Sequence, residues 1–514
     1  MLKLLIVGDL APYTQSYLKP RETWPSILGR ILESWIDEES RVVTCDYGEK
    51  GVGESVERAG QLLESHKPDI MLLTVGLSDV STGVDQLLEE VKRFAIKARQ
   101  GGARPAVATH PPVTSRAVHT GLLSKEDYFV ALQELEQHAD AIRKLASEEG
   151  IVLADIYRFL AERPVLLKHV YDGVHLDDVA QAAVAPYVAS RLLGPIGVNY
   201  PFTELKELVK VYSDGMHNAF TDIAFWKEEY WLSFRTGTRH FIRERDDGVI
   251  TVVRSADLYR WSRVARLRVE GWDARDPKLL PWGSRLFLYT QCWSPSLRIH
   301  ASFCFYTDDG ASWQGPFKCG DYVFWRPHIY GGKAYVAAYR SGEKAEDWEV
   351  HLLESGDGVN WRYVATMARG DKVNETDIVF EDDKAWAFAR REAGTRRLLM
   401  LESTPPFREW RSRELSRVVQ GPAAIRLNGK TFVSGRFFVE KGVARTGLFL
   451  LCGDRLKLVF EFPSGGDCSY PGMLYRNGLL VMSYYSSHEG SGTGDAPSDI
   501  YLALLNLSKI AECF

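Results

Sequence analysis

The sequence predicts two domains of different class: an α/β domain built on a parallel sheet over residues 1–195, and an all-β six-bladed propeller over residues 215–514. Three observations carry this. In the first part, short apolar runs alternate with amphipathic stretches of helical spacing, the pattern of a parallel sheet covered on both faces. In the second, one phrase of strand, turn and aromatic-rich strand recurs six times between His217 and Ser487, at a period of ~50 residues that marks propeller blades. Between them Gly194, Pro195, Gly197 and Pro201 cluster as chain breakers. Residues 196–214 therefore read as a linker, with a single short helix over 202–212 that carries Leu205, Leu208 and Val211 on one face.

A chain of 514 residues exceeds one ordinary core. With 45% hydrophobic and 25% charged residues and a net charge of -5, it has a globular composition, and nothing in it calls for nucleic acid or an anionic membrane as partner. Seven cysteines without a Cys-x-x-Cys pair argue against a disulfide framework or a zinc site and point to a reducing, cytoplasmic setting. No apolar run approaches the ~20 residues that cross a bilayer. Leu2–Val7, followed at once by Gly8-Asp9, is too short for a signal sequence and reads as the first strand. No cofactor and no metal are expected.

In chain order, Leu4–Val7, Arg41–Cys45, Ile70–Val75, Ala106–Thr109 and Ile151–Ala154 are short runs of buried-strand type. The helices are Trp24–Ile36, Val56–Ser65, Val84–Gln100 and Tyr128–Glu149; the first aligns Trp24, Ile27, Leu28, Ile31, Leu32 and Trp35. Ligands of such sheets bind beyond the carboxyl ends of the strands. The polar residues there are Gly8-Asp9-Leu10, Gly51-Val-Gly53-Glu, Gly76-Leu-Ser78-Asp79 and Asp172-Gly-Val-His175-Leu. With Trp24-Pro-Ser-Ile-Leu and Lys67-Pro-Asp they resemble the four blocks of the SGNH (GDSL-type) esterases across the whole segment.

That resemblance implies a nucleophilic Ser after Gly-Asp, where this chain has Leu10, whose isobutyl group has no nucleophilic atom. The oxyanion-hole Asn of the third block corresponds to Ser78, a shorter donor, and Gly53 offers a backbone N–H. Asp172 and His175 keep the orienter-and-base pair of a triad. Three possibilities stay open: water activated by His175, a hydroxyl from Thr14 or Ser16, or a retired esterase that packs or binds sugar.

The six phrases of the second domain are Asp222–Arg235, Pro277–Leu288, Pro327–Arg340, Asp377–Arg390, Ala424–Arg436 and Pro471–Tyr484. Between them Tyr306-Thr-Asp-Asp309-Gly-Ala-Ser-Trp313 and Glu354-Ser-Gly-Asp357-Gly-Val-Asn-Trp361 resemble the Asp-box hairpin of sialidase-like propellers. Ser255-Ala-Asp257-Leu-Tyr-Arg-Trp261 is the same hairpin without its Gly, and Ser403–Trp410 keeps only the Ser and the Trp. An Asp-Gly turn supplies an Asx hydrogen bond and a positive-φ position, and the Trp packs between blades. Six phrases and these hairpins resemble the six-bladed sialidase-like superfamily over about 300 residues. His217–Asp222, Asp273–Lys278, Asn374–Asp377 and Gly466–Pro471 resemble a subgroup of it known by its likeness to exo-sialidases.

Residues entering the innermost strand of each blade ring one mouth of the channel. Asp222, Asp276, Arg326, Glu375, Asp377 and Tyr470 therefore converge from five blades. By resemblance, Tyr470 and Glu375 occupy the places of the nucleophile and its assisting acid, Asp276 that of the acid/base residue, and Asp222 is its rival. Arg275 and Arg326 stand at strand entrances as anchors for a sugar carboxylate. Arg235, Arg340, Arg390 and Arg436 recur at the end of the second strand, as blade-edge residues or as further anchors. The first blade opens with His217-Asn218 instead of the Arg-Ile/Leu-Pro phrase of true sialidases, which leaves sialic acid itself open; His240 and His488 reach toward the rim. The expected partner is a carbohydrate or glycoconjugate, and the expected activity is that of an exo-glycosidase. The alternatives are a sugar-ester deacylase with a glycan-holding propeller and a glycan-binding protein without chemistry.

Overall fold

The computed structural model describes residues 1–10, 22–490 and 497–507; Thr14 and Ser16 lie outside them. The described chain divides into two units. One holds Met1–Glu207 and Leu458–Pro463, the other Leu208–Lys457 and Ser464–Leu505.

The first unit is built on five parallel strands, β1 (Lys3–Gly8), β2 (Arg41–Asp46), β3 (Ile70–Thr74), β4 (Arg104–Ala108) and β5 (Val152–Ala154), in the order β2-β1-β3-β4-β5. Helices α1 (Trp24–Trp35), α2 (Gly51–His66), α3 (Val84–Gln100), α4 (Lys125–Glu149) and α5 (Asp178–Leu193) cover it. Alternate strand residues Leu5, Val7, Met71, Leu73 and Val107 join α2, α3 and α4 in one core, as the period of two of a strand requires. The apolar face of α1 buries every residue its spacing aligns, and α1 packs on α5, where Trp24 N–H donates to the buried Gln181 Oε1 at 2.7 Å. β2 departs from the buried type expected: it is the sheet edge, and most of its residues are exposed.

The second unit is a ring of six antiparallel sheets. In each, the first strand lies innermost and packs against the first strand of the next blade, except between the second and third blades, where the first strand of the third meets the second strand of the second. They are His217–Trp226, Asp273–Trp282, the broken pair Val323–Phe324 and His328–Tyr330, Val373–Glu381, Gln420–Leu427 and Cys468–Arg476. The helix expected over 202–212 is not formed. Glu204–Tyr212 is a strand, outermost in the sixth blade, so chain from before the first blade completes the last one. Leu205, Val209 and Val211 also satisfy a period of two, and a vacant sheet edge settles the ambiguity in favour of strand.

The outer hairpins share one hydrogen-bond scheme. Ser255, Thr307 and Ser355 hydroxyls accept from the amide three residues on, and Asp257, Asp309 and Asp357 each accept two further amides. The fourth residue of each has positive φ: Gly310 and Gly358 at 80° and 82°, but Leu258 at 70° in the hairpin that lacks Gly. A Cβ on Gly310 would meet Trp231 of the first blade, and one on Gly358 would meet Phe287 of the second. These hairpins thus lock onto the preceding blade.

Candidate functional site

Every innermost strand carries one extra residue at the same height. Phe220-Thr221, Asp276-Pro277, Asn374-Glu375, Gly421-Pro422 and Tyr470-Pro471 each stand opposite a single partner residue, and Trp325-Arg326-Pro327 stand opposite two. A bulge turns its side chains out of the pleat and re-aims them, here toward those of other blades, as where Tyr470 meets Glu375. Phe220, Asp276, Gly421 and Tyr470 take positive φ of 60°, 44°, 58° and 49°. For the three that are not glycine this is a strained conformation, costing on the order of 1 kcal/mol each. Proline follows in four of the six bulges; with no N–H to place in the ladder, it suits a position where pairing is broken.

Tyr470 and Glu375 meet across the ring. The Tyr470 hydroxyl donates to Glu375 Oε1 at 3.0 Å, and Arg390 Nη1 lies 2.7 Å from that oxygen and 3.1 Å from the hydroxyl. Glu375 Oε2 accepts the Gly421 N–H at 3.0 Å, so the fifth blade fixes the carboxylate's other arm. Burial pushes the Tyr470 phenol well above its ordinary pKa, and Arg390 only partly offsets this. Edge-on contacts from Phe220 and Trp325 at 5.1 and 5.9 Å hold the ring, and the Arg436 guanidinium lies 5.2 Å from its centroid.

Asp276 is near enough to this pair for its charge to push the Tyr470 phenol further up. Gln291 Nε2 donates to its Oδ2 at 2.8 Å, while Asp276 Oδ1 and Gln291 Oε1, both buried, make no hydrogen bond among the described residues. Below it Lys278 Nζ, also buried and unbonded, lies 4.6 Å from the Trp325 ring centroid. Burial and the nearby Arg326 push this ammonium down to about 8 despite Asp222, Asp276 and Asp377 around it.

Asp222, Arg326 and Asp377 form a closed network beneath the mouth. Arg326 is within 3.2 Å of Asp222 Oδ1 and 2.8 Å of Asp377 Oδ2, and its Nη2 donates to Pro471 O at 2.9 Å. Asp222 Oδ2 accepts Leu279 N–H; Asp377 accepts from Ala424 N–H and bonds His328 Nε2. Burial would raise Asp377, but Arg326 and His328 outweigh it and hold the carboxyl below its ordinary range. These three residues therefore bind the blades to one another.

The arginines expected at one recurring place occupy three. Arg235 and Arg436 stand opposite the residue just before their bulges, Arg390 is one residue nearer, and Arg340 is two beyond and exposed. Arg235 is fully buried against Asp273 at 3.0 Å, an interblade clasp with no access to the mouth. Arg275 lies 4.9 and 4.8 Å from the Phe220 and Phe241 centroids, with Nη1 on His240 O. Arg275, Arg390 and Arg436 keep 10%, 14% and 14% side-chain exposure. His217 is wholly buried and bonds Asp467 Oδ2 at 2.8 Å; half-exposed His240 bonds the same oxygen. His488 is buried and bonded to Ser486. Sequence reasoning passed over Gln291, Lys278, Tyr485 and the hub role of Asp467. The X-Pro step at the head of the inner strands is the signal that could have marked the bulge residues.

In the first unit, Asp172 and His175 are paired through Oδ2 and Nδ1 at 2.6 Å. Burial would raise Asp172, but amide bonds from His175 and Val174 and the His175 ring hold it below its ordinary pKa. Ser78 Oγ is 3.1 Å from the buried Asp9 Oδ2, so its hydroxyl is engaged there. Gly53 lies in the first turn of α2, and the buried Leu10 has its N–H on Asp46. His110, buried nearby, is pushed down to about 4 by desolvation, and its Nε2 has no partner among the described residues.

No protein-family model matches the sequence, and no curated protein matches it. Solved structures of similar fold include the phage phi92 endosialidase, at 10% identity over 58% of this chain and 69% of that one, with a TM-score of 0.46. Others are Trypanosoma rangeli sialidase in complex with the inhibitor DANA (12% identity, 58% and 56% covered, TM-score 0.45) and Bombyx mori GH32 beta-fructofuranosidase BmSUC1 (14%, 62% and 68%, 0.38). The chain thus spans little more than half of the Trypanosoma enzyme. Among the described residues no helix is long and apolar enough to cross a membrane.

Proposed function

We propose that the propeller is an exo-acting glycoside hydrolase for a terminal acidic sugar, with Tyr470 as nucleophile, Glu375 as its base and Asp276 as the acid/base residue. One observation carries the reading: a phenol and a carboxylate 3.0 Å apart, both bonded to one guanidinium nitrogen. Burial disfavours a standing phenolate, so the Tyr470 proton passes to Glu375 as the oxygen attacks the anomeric carbon. The bond to the leaving oxygen breaks and that oxygen takes the proton of Asp276. Water, deprotonated by Asp276, then displaces Tyr470, which recovers its proton from Glu375. A neutral phenol does not repel an anionic sugar as a carboxylate would, and Arg275, Arg390 and Arg436 supply its counter-charge. Asp222, Asp377, Arg326 and Arg235 serve the scaffold in this reading.

Tyr470→Phe and Glu375→Gln are expected to lower turnover of aryl glycosides of acidic sugars by roughly 10²–10⁴-fold with unchanged circular dichroism. Full activity in both variants would end the reading. The Asp172–His175 pair at 2.6 Å favours a second one, a sugar-ester deacylase in the first unit. Loss of acyl-sugar turnover in His175→Ala would support it, and a wild type inert on acyl sugars would dismiss it. Glycan binding without turnover on either panel would leave a binding protein.

A further inference from the structure

We infer that His217, His240 and Asp467 form a binding site for a late first-row divalent metal ion, with zinc as the reference case, that clasps the first blade to the entrance of the sixth. The ligand-type atoms of these three residues all lie within 4.8 Å of one another, the one such group among the described residues. His217 Nε2 and His240 Nδ1 crowd a single oxygen, Asp467 Oδ2, at 2.8 and 2.5 Å. Zinc bonds of about 2.0–2.2 Å place tetrahedral ligands roughly 3.3–3.5 Å apart. A retreat of the carboxylate by less than about 1 Å from each ring therefore admits the ion. The fourth position opens on the side of His240, whose side chain is 36% exposed.

The surroundings already orient this set. Asp467 Oδ1 accepts from Arg436 Nη2 at 2.7 Å and from the Tyr485 hydroxyl at 2.8 Å, which fixes the carboxylate as outer-shell partners of metal sites do. His217 has no exposed side-chain surface, and His240 packs edge-on against Phe220 at 5.1 Å. Arg436 draws on the charge of the same carboxylate, so the ion is held mainly through two neutral imidazoles. That donor set selects zinc-like metals over calcium or magnesium, which need several oxygen ligands.

The test uses full-length, tag-free protein stripped of metal and titrated with Zn²⁺ alone, by calorimetry and by thermal unfolding. The site predicts one saturable equivalent, a melting temperature that rises with Zn²⁺, and no response to Ca²⁺ or Mg²⁺. His240→Ala is expected to weaken binding by about tenfold or more, whereas the exposed control His119→Ala leaves it unchanged. Because a change at buried His217 risks unfolding, Asp467→Asn, which keeps the shape of the side chain, is the second variant and is also expected to lose binding. No saturable equivalent in the wild type, or wild-type binding in both His240→Ala and Asp467→Asn, would overturn the inference. Neither readout depends on turnover of any sugar.

Discussion

Arg326 and Arg390 are two inward-facing guanidinium groups of one ring, put to opposite uses. Arg326 is enclosed by Asp222, Asp377 and Pro471 O, which take its Nε, Nη1 and Nη2 in turn. Arg390 is held by Glu392 through Nη2 and through Nη1 touches a carboxylate and a phenol that are themselves a donor–acceptor pair, and its buried Nε makes no bond among the described residues. Both arginines lie close to the same ring of bulges. What separates scaffold from candidate chemistry is whether the partners consume one another's hydrogen-bonding capacity.

The largest effect that would break this contrast is on stability. Arg326→Met strands two buried carboxylates, so urea unfolding should show a loss of about 3–5 kcal/mol; a loss below ~1 kcal/mol would mean the network is not structural. Next, Glu375→Gln should cost roughly 2.7–4 kcal/mol of barrier, a hundredfold or more in rate, with its melting temperature near that of the wild type. Coincident loss of folding would place Glu375 with Arg326 instead.

Acid sharpens the difference further. Asp377 is depressed in the folded state, so its stabilisation is complete above the ordinary unfolded carboxyl value of about 3.9 and drains away as pH falls from there toward the folded value. Stability measured from pH 7 to pH 3 should therefore fall in the wild type, and less steeply in Asp377→Asn. Parallel curves would contradict that ion pairing. The smallest effect lies on the outer hairpins. Gly358→Ala, at a φ of 82° and with its Cβ 2.6 Å from the Phe287 ring, should lose about 1 kcal/mol or more in urea unfolding, and an unchanged midpoint would contradict the close approach of that hairpin to the second blade.

The strands and turns of both domains were legible because each blade repeats its own punctuation, Asn428-Gly429 or Asn477-Gly478 between apolar runs, and the first domain alternates period with period. Tyr470 and Glu375 were legible as a pair. Their neighbours were not, since a bulge shifts the facing of every later residue of its strand, as at Lys278, and Gln291 meets Asp276 from the adjoining strand of the same blade. Arg235 looked like Arg436 in sequence and shares its register, yet Asp273 buries it. The strand at Glu204–Tyr212 was misread because its apolar residues fit two periods, and only the unfilled edge of a blade formed some 260 residues later decides between them.

The measurement that bears most directly on the account is covalent trapping. Wild-type protein would be incubated with a fluorinated, activated glycoside of an acidic sugar, digested, and the labelled residue mapped by mass spectrometry. The account predicts one label per chain, on Tyr470, and none in Tyr470→Phe. A label on Asp276 or Glu375, or turnover of the parent glycoside that persists in Tyr470→Phe, would contradict it.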